Sequence, residues 1–331
     1  MLYHLVRARA RSMLQYRHSW LVRLSALVVA TALLAIALFP EKALACACGC
    51  GIFDIGNLLP TMPGGAAYFE YDYMNQNKNW SSLSHAPAAN NDDKDIRTDF
   101  YTAGFQYLFD SGFGVMAEVP YWDRSFTTNT GSAVATFNHS ALGDVRLTGS
   151  YSGFSSDNST GISIGVKLPT GDYKYPNFDR DTEIGSGSTD LTVGAYHVGS
   201  LDALGIWRYY AQARYQFAVA STTGYRPGNE LDAVAGVSYD AGMSGMAGMA
   251  TSSIDVIPSF KIIASTRMHD TGGDANPGDS GYSRVLLSPG VDVSINNWML
   301  HAEVDLPIYQ NVIGNQLVAQ ELFKTNISYN F

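Results

Sequence analysis

The chain of 331 residues is 46% hydrophobic and only 15% charged, and its 21 Lys and Arg are outnumbered by 30 Asp and Glu. A formal net charge of −9 lacks the basic footprint that phosphate binding requires, which argues against nucleic acid as a partner. The content of 20 Tyr, 15 Phe and 32 Gly is typical of strands and turns rather than of helices.

Residues 1–45 have the pattern of an export signal. Five arginines precede an apolar stretch over 24–39, and Ala43-Leu44-Ala45 then offers the small-x-small sequence that signal peptidase recognises. The apolar stretch, about 16 residues, is shorter than the roughly 20 that a membrane-spanning helix needs. We therefore predict that 1–45 is cleaved on export, and an uncleaved anchor is the alternative. Cleavage would leave 15 basic against 29 acidic residues, a net charge of −14, because the signal carries six of the 21 bases and one of the 30 acids.

The three cysteines of the chain directly follow this cleavage point, in a segment 46–64 that we expect to lie in the periplasm. Their odd number and close spacing do not suit an ordinary disulfide framework. Three interpretations are open: lipidation of Cys46, binding of Cu(I) or another soft metal by the thiolates, or cross-linking to each other or to a periplasmic partner. The residues are Cys46, Cys48 and Cys50.

From residue 65 onward, apolar and polar side chains alternate with a period of two, which is typical of strands with one apolar and one polar face. At the carboxy-terminus, Phe323, Ile327 and Phe331 lie on one such face while Lys324 and Asn326 lie on the other. The alternation predicts twelve strands, at 65–74, 97–109, 112–123, 139–152, 160–169, 188–198, 206–220, 230–240, 252–265, 281–295, 297–308 and 320–331.

Short and long connections alternate between these strands, as they do in outer-membrane barrels. We therefore predict an all-β fold, a transmembrane antiparallel β-barrel of about 12 strands over 65–331, with short periplasmic turns, long extracellular loops and periplasmic termini. In hydrocarbon every backbone amide must be paired within the protein, and a sheet achieves this only by closing on itself. A secreted β-sandwich is the alternative, but its strands average about 5 to 6 residues and the predicted strands are longer.

The connection 241–251 carries a methionine at every third position. Thioethers in such a row suit Cu(I), and the turn is predicted on the same side of the membrane as the cysteines. Incidental methionines in a turn rich in small residues are the alternative. The candidate metal ligands are Met243, Met246 and Met249.

Two parts of the sequence carry a recognisable motif. One is Gly165-Val166-Lys167-Leu168-Pro169-Thr170-Gly171-Asp172 with the later Gly185-Ser186-Gly187-Ser188-Thr189-Asp190, and the other is Val304-Asp305-Leu306-Pro307-Ile308-Tyr309-Gln310 with Gly314-Asn315-Gln316-Leu317 and the closing strand. Both resemble the outer-membrane transporters of the meta-pathway phenol-degradation family. The resemblance implies a barrel and a transport role but names no substrate. The motifs have a structural interpretation as well, because proline suits a strand end and Gly171 and Gly314 suit the turns beyond it.

A transport function depends on the side chains that face the lumen of the barrel. By strand phase we expect the lumen to be lined by Glu118, Asp144, Arg146, Lys167, Arg208, Arg214, Asp292, Glu303, Asp305 and Lys324. Opposite charges either cross the lumen and plug it or line the walls of a narrow pore. We favour a channel for passive movement of small solutes, embedded in outer-membrane lipid, with a mild preference for cations because acids are in excess.

Two other functions are considered. For an enzyme, the candidate is Asn138-His139-Ser140, but adjacent strand residues point to opposite faces, so we predict no catalytic residues and no enzymatic activity. A non-conducting barrel that handles a soft metal or anchors a periplasmic partner through the Cys-rich segment is the alternative to the channel.

Overall fold

The computed structural model of the protein describes residues 63–240 and 254–331. The predicted export signal, the cysteines Cys46, Cys48 and Cys50, and the methionines Met243, Met246 and Met249 lie outside the described residues. No helix in the described part of the chain is long and apolar enough to cross a membrane.

The described chain is almost entirely β-structure, with two short 3-10 turns at Ala88–Asn91 and Pro277–Asp279. Its strands are β1 Gly64–Ser82, β2 Ser84–His85, β3 Asp95–Leu108, β4 Phe113–Asn129, β5 Val134–Leu142, β6 Arg146–Tyr151, β7 Thr160–Lys167, β8 Ser188–Ser200, β9 Trp207–Ser221, β10 Glu230–Tyr239, β11 Ile254–Arg267, β12 Tyr282–Ile295 and β13 Trp298–Asn330.

These strands form one closed antiparallel sheet, which confirms the predicted barrel. The neighbours run in the order β13, β12, β11, β10, β9, β8, β7, β6, β4, β3 and β1, and β13 then pairs with β1 to complete the ring. At the seam, Ala66 lies opposite Asn330, and Gly65 and Phe331 exchange two backbone hydrogen bonds of 2.9 Å. Closure leaves no unpaired edge in the ring, as a lipid-embedded sheet requires.

Strand β13 crosses the barrel twice. Its first arm, 298–312, pairs with β12, and its second arm, 312–330, pairs with β1 in the opposite direction. The chain reverses at Gly314, whose φ of 70° is in the left-handed region, and the arms meet again where Trp298 and Tyr329 lie 4.9 Å apart. Counting both arms, the ring has twelve crossings, in agreement with the prediction.

The barrel has two different ends. The end that carries Gly65, Phe331 and the short connections, such as 109–112 and 296–297, is called the terminus end here. The opposite end, with the long connections 168–187 and 268–281, is called the loop end.

The loop end departs from the predicted strand bounds. The predicted strand 139–152 is two strands, with a break at 143–145. Gly143 still follows the register of β5, donating to Pro120 O over 2.8 Å, whereas β6 pairs with β4 one residue out of that register. Above the break, β5 pairs with β4 in a hairpin, called the β4 and β5 ribbon here, while β4 still pairs with β3 up to Thr127. Strands β1 and β4 also extend into predicted loops, to Ser82 and Asn129.

The alternation in sequence becomes an apolar outside and a polar inside. Side chains of the outer phase such as Phe105, Ile164 and Leu300 are 44 to 64% exposed, although they are large and hydrophobic. Trp207 and Trp298 are also on the outside at the terminus end, each against a tyrosine ring. Trp80 and Trp122 are instead buried, so they are not part of an outer aromatic belt.

Candidate functional site

The ten predicted lumen residues are all in the inner phase of their strands or, for Asp144, at the break beside them. Asp144, Lys167, Asp292, Glu303, Asp305 and Lys324 are buried, Glu118, Arg146 and Arg214 are partly buried, and Arg208 is exposed to the interior at the terminus end. The interior of the barrel therefore holds a dense set of charges of both signs.

Several of the opposite charges pair along the wall, between strands that are neighbours in the sheet. Arg214 of β9 forms an ion pair of 2.8 Å with Asp232, which lies opposite it on β10. Lys167 of β7 pairs with Asp190, opposite it on β8, at 2.7 Å. Such pairing between adjacent strands neutralises the wall without filling the space in front of it.

The most deeply buried ionic cluster lies where β11, β12 and β13 meet. Lys261 and Glu303 are 2.5 Å apart, with side chains only 1% and 0% exposed. They reach each other over β12 because Gly290, opposite Glu303, has no side chain. His301 lies between two acids, 2.8 Å from Asp292 and 3.0 Å from Glu303.

The loop that joins β7 and β8, residues 168–187, folds into the barrel mouth and is called the inner loop here. Asp144 holds both of its ends: one carboxylate oxygen accepts from the Gly171 amide at 3.0 Å, and the other accepts from the amide and hydroxyl of Ser186 at 2.9 and 2.5 Å. From the wall, Arg124 donates to the carbonyl oxygens of Thr182 and Glu183 at 2.5 and 3.3 Å.

Apolar contacts and close backbone packing also hold the inner loop in place. Ile184 is 2% exposed and packs in a cluster with Met74, Phe100, Trp122, Ala319 and Leu322 of the wall. A Cβ on Gly171 would lie 2.8 Å from Gly185 Cα and 2.9 Å from the Gly143 carbonyl carbon, so this crossing requires glycine. The role of Gly171 is therefore close approach, whereas the sequence suggested a turn.

Sequence reasoning missed the inner loop, because 170–187 has the composition of an ordinary surface loop. It also missed Arg124, since the predicted strand ended at residue 123. Extending the phase of Glu118 and Trp122 by two residues would have placed Arg124 on the inner face.

Among the cavities within the described part of the barrel are two that share no lining residue. The terminus-end cavity has a volume of about 680 Å³ and is lined by residues that include Arg208, Tyr210, Asp255 and Asp292. The loop-end cavity, about 100 Å³, lies between the inner loop and the wall. The inner loop therefore borders the smaller of these two cavities.

Burial affects the acids of the inner loop. It raises the pKa of Asp181 to about 6 and that of Glu183 to about 7. For Glu183, nearby Arg180 and Arg124 act in the opposite direction without cancelling the effect.

His139 and Ser140 do not form a catalytic pair. His139 Nε2 lies 2.9 Å from an oxygen of Asp172 and its ring stacks on Tyr175, while Ser140 donates to Asp123 over 2.7 Å. The two side chains therefore have separate acidic partners on opposite faces of the ribbon. Among the described residues, no group of three or more His, Cys, Asp or Glu has an arrangement that could hold a metal ion.

No family model and no curated protein matches this sequence. Among solved structures, the fold is similar to that of the COG4313 outer membrane channel from Pseudomonas putida F1, with a TM-score of 0.61 at 10% identity over 82% of this chain and 97% of that chain. The beta domain of the Bordetella autotransporter BrkA is less similar, with a TM-score of 0.46 at 12% identity over 82% of this chain and 100% of that one. The first likeness establishes the fold, a closed barrel of the outer-membrane type.

Proposed function

We propose that this protein is an outer-membrane channel for passive movement of small solutes through a narrow, charged lumen. The observation that carries the proposal is the distribution of side chains, which is the reverse of that in a water-soluble protein. Large apolar side chains lie on the outside of the barrel, and paired charges lie inside it, around a cavity of about 680 Å³. An outer surface of this kind suits lipid, and a polar interior suits water and hydrophilic solutes. The fold shared with a protein described as an outer membrane channel supports the same conclusion.

We propose further that the terminus end faces the periplasm and the loop end faces outwards. The layout of short connections at one end and long ones at the other supports this orientation. It would place the predicted cleavage after residue 45 and the segment 46–64 on the periplasmic side. We also propose, from the sequence motifs, that the protein is related to the meta-pathway phenol-degradation family.

The channel is tested by conductance in planar bilayers and by swelling of liposomes in graded neutral solutes. We expect small discrete current steps, since the inner loop narrows the path, and swelling that falls steeply with solute size. In a salt gradient the reversal potential should indicate a preference for cations because acids are in excess. The absence of steps and swelling, both in the natural protein and in a variant with a released inner loop, would refute the channel.

The inner loop, which is bonded into the barrel mouth, favours a second candidate, a non-conducting barrel that serves as a scaffold. A barrel closed by the inner loop would anchor a periplasmic partner or handle a soft metal such as Cu(I) through Cys46, Cys48 and Cys50. Copper titration with Met243, Met246 and Met249 changed to Leu tests whether the turn contributes to this. Unchanged stoichiometry would remove the turn from the scaffold hypothesis.

A further inference from the structure

The loop-end cavity lies between the inner loop and the wall of the barrel. Arg180, Glu183 and Ile184 line it from the inner loop, and Trp122 and Gln216 line it from the wall. The solute path of the proposed channel passes the inner loop. A binding site in this cavity would therefore bind solutes as they pass through the channel.

Arg180 provides a positively charged group with hydrogen-bonding capacity to spare. One of its nitrogens, Nη2, donates to the carbonyl oxygen of Ser186, and its guanidinium carbon lies 4.0 Å from the centre of the Tyr225 ring. These contacts hold the guanidinium in place. Its Nε and Nη1 are buried and make no hydrogen bond with the described part of the chain.

Glu183 provides the complementary negative group. Its backbone carbonyl is held by Arg124, and its side chain is buried, with residue exposure of 8%. Oxygen Oε2 accepts no hydrogen bond from any described residue. Within the described ranges Glu183 and Arg180 form no ion pair with each other, although both line the same cavity.

Buried donors and acceptors without partners are costly, and native structures satisfy them with water or a ligand. The loop-end cavity has a volume of about 100 Å³, whereas one water molecule needs about 10 to 15 Å³. The cavity therefore has room for a molecule of roughly six heavy atoms. The ionisable lining is balanced, so it selects neither simple anions nor simple cations. It consists of Arg146, Lys167, Arg180 and Arg267 against Asp144, Asp181, Glu183 and Glu230.

We propose that the loop-end cavity is a binding site for a small zwitterion of the α-amino acid class, whose carboxylate accepts from Arg180 and whose ammonium donates to Glu183. Trp122 and Ile184 provide an apolar surface for a short side chain. The binding site itself is independent of the proposed channel, but its position on a solute path rests on that proposal. The inference adds the class of solute that binds beside the inner loop.

The test is calorimetric titration of the folded protein in detergent with L-alanine, and with propionate and ethylammonium as probes of each charge alone. We expect alanine to bind more tightly than either probe. Arg180→Gln and Glu183→Gln should each weaken alanine binding at least tenfold, since each removes a charged hydrogen bond. Propionate should lose affinity only with Arg180→Gln, and ethylammonium only with Glu183→Gln.

Lys174→Gln is the matched control, because Lys174 is an exposed residue of the same loop. It should bind alanine as the natural protein does, and circular dichroism should show that all three variants keep the β-fold. The proposal would be overturned if the natural protein did not bind alanine at millimolar concentration, or if both site variants bound alanine as tightly as the natural protein does. Since the titration needs no bilayer, a protein that binds alanine without conducting would refute the channel alone.

Discussion

Lys261 and Glu303 are held together almost entirely out of contact with solvent, and such a pair is sensitive to loss of one member. Lys261→Met leaves Glu303 buried with His301 as its remaining close partner. Removing one partner of a buried pair costs about 3 to 5 kcal/mol, because the other charge stays desolvated. We expect urea unfolding of the refolded protein to show a loss of stability of this order.

Two further variants check the cause of this loss. Lys174→Met, at an exposed position, should leave the stability unchanged. The double variant Lys261→Met with Glu303→Gln should be more stable than Lys261→Met alone. A single variant as stable as the natural protein would contradict the role assigned to the ion pair.

Glu183 makes attachment of the inner loop depend on pH. Burial raises its pKa from the ordinary 4.5 to about 7, with Asp172 adding to the rise and Arg180 and Arg124 opposing it. The attached loop thus binds the proton more tightly than a detached loop does. Attachment is strongest below about pH 4.5 and weakens as the pH rises through about 7, because the buried carboxylate must then be ionised.

Hydrogen exchange measures this effect directly. Protection factors of the inner-loop amides should fall between pH 5 and pH 8. Glu183→Gln should remove most of this decrease in protection, whereas the control Lys174→Gln should show the same decrease as the natural protein. Protection that rises with pH would show that the ionised form of Glu183 is the one that the seated loop prefers.

At the scale of elements, the inner loop depends on Asp144 more than on any other wall residue. Its carboxylate accepts from two backbone amides and one hydroxyl, one near each end of the loop. Asp144→Ala removes all three bonds, so we expect the loop to detach and the conductance per channel to rise severalfold. Lys174→Gln is again the control, and unchanged conductance together with unchanged loop protection would contradict the prediction.

The reversal within β13 depends on Gly314. Its φ is 70°, and an added Cβ would lie 2.0 Å from the carbonyl oxygen of Gly278. Gly131 is a matched control, since its φ is 82° and a Cβ there would meet nothing within 4 Å. Both alanine variants carry backbone strain of about 1 kcal/mol or more, but only Gly314→Ala adds the clash. Urea unfolding should therefore show the larger destabilisation for Gly314→Ala, and equal losses would contradict this role.

Most of the barrel could be predicted because apolar and polar side chains alternate along its strands. The alternation arises because one face of each strand lies on the apolar outside and the other on the charged inside. The alternation fails where the strands leave the ring. Past residue 123, β4 still pairs with β3 and β5, but Asp123 and Arg124 place charged side chains on both of its faces, so the apolar alternation that predicts a strand ends there. Trp80 and Trp122 lie near strand ends but are buried, because proximity to a strand end does not determine which face a side chain occupies.

The candidate site was only half predictable. Wall residues such as Lys167 and Glu303 follow from strand phase, because phase alone decides which way they point. Arg180 and Glu183 do not, because their position depends on a loop that folds inwards through contacts with Asp144 and Arg124, which are far away in sequence. No local pattern distinguishes such a loop from one that extends into solvent.

At the scale of the whole molecule, the ring is one cooperative unit that exists only when it is closed. Truncation after Gln320 would remove most of the second arm of β13 and leave β1 without its partner. We expect this variant to lack the compact form that migrates differently from the unfolded chain on unheated gels, since an open edge is not tolerated in lipid. Deletion of the tip of the β4 and β5 ribbon, 130–133, is the control and should keep that form. A truncated chain that still migrates as a compact barrel would contradict the cooperative closure.

The seam between β1 and β13 also has a consequence for biogenesis. Strand β1 finds its second neighbour in the second arm of β13, with Tyr71 and Thr325 in contact across a separation of 254 positions. Synthesis must therefore pass β13 before the cylinder can form, and contacts so distant along the chain make folding slow. Until then the apolar outer faces of the strands have no lipid to cover them, and a chain that lacks the second arm of β13 keeps an open edge on β1.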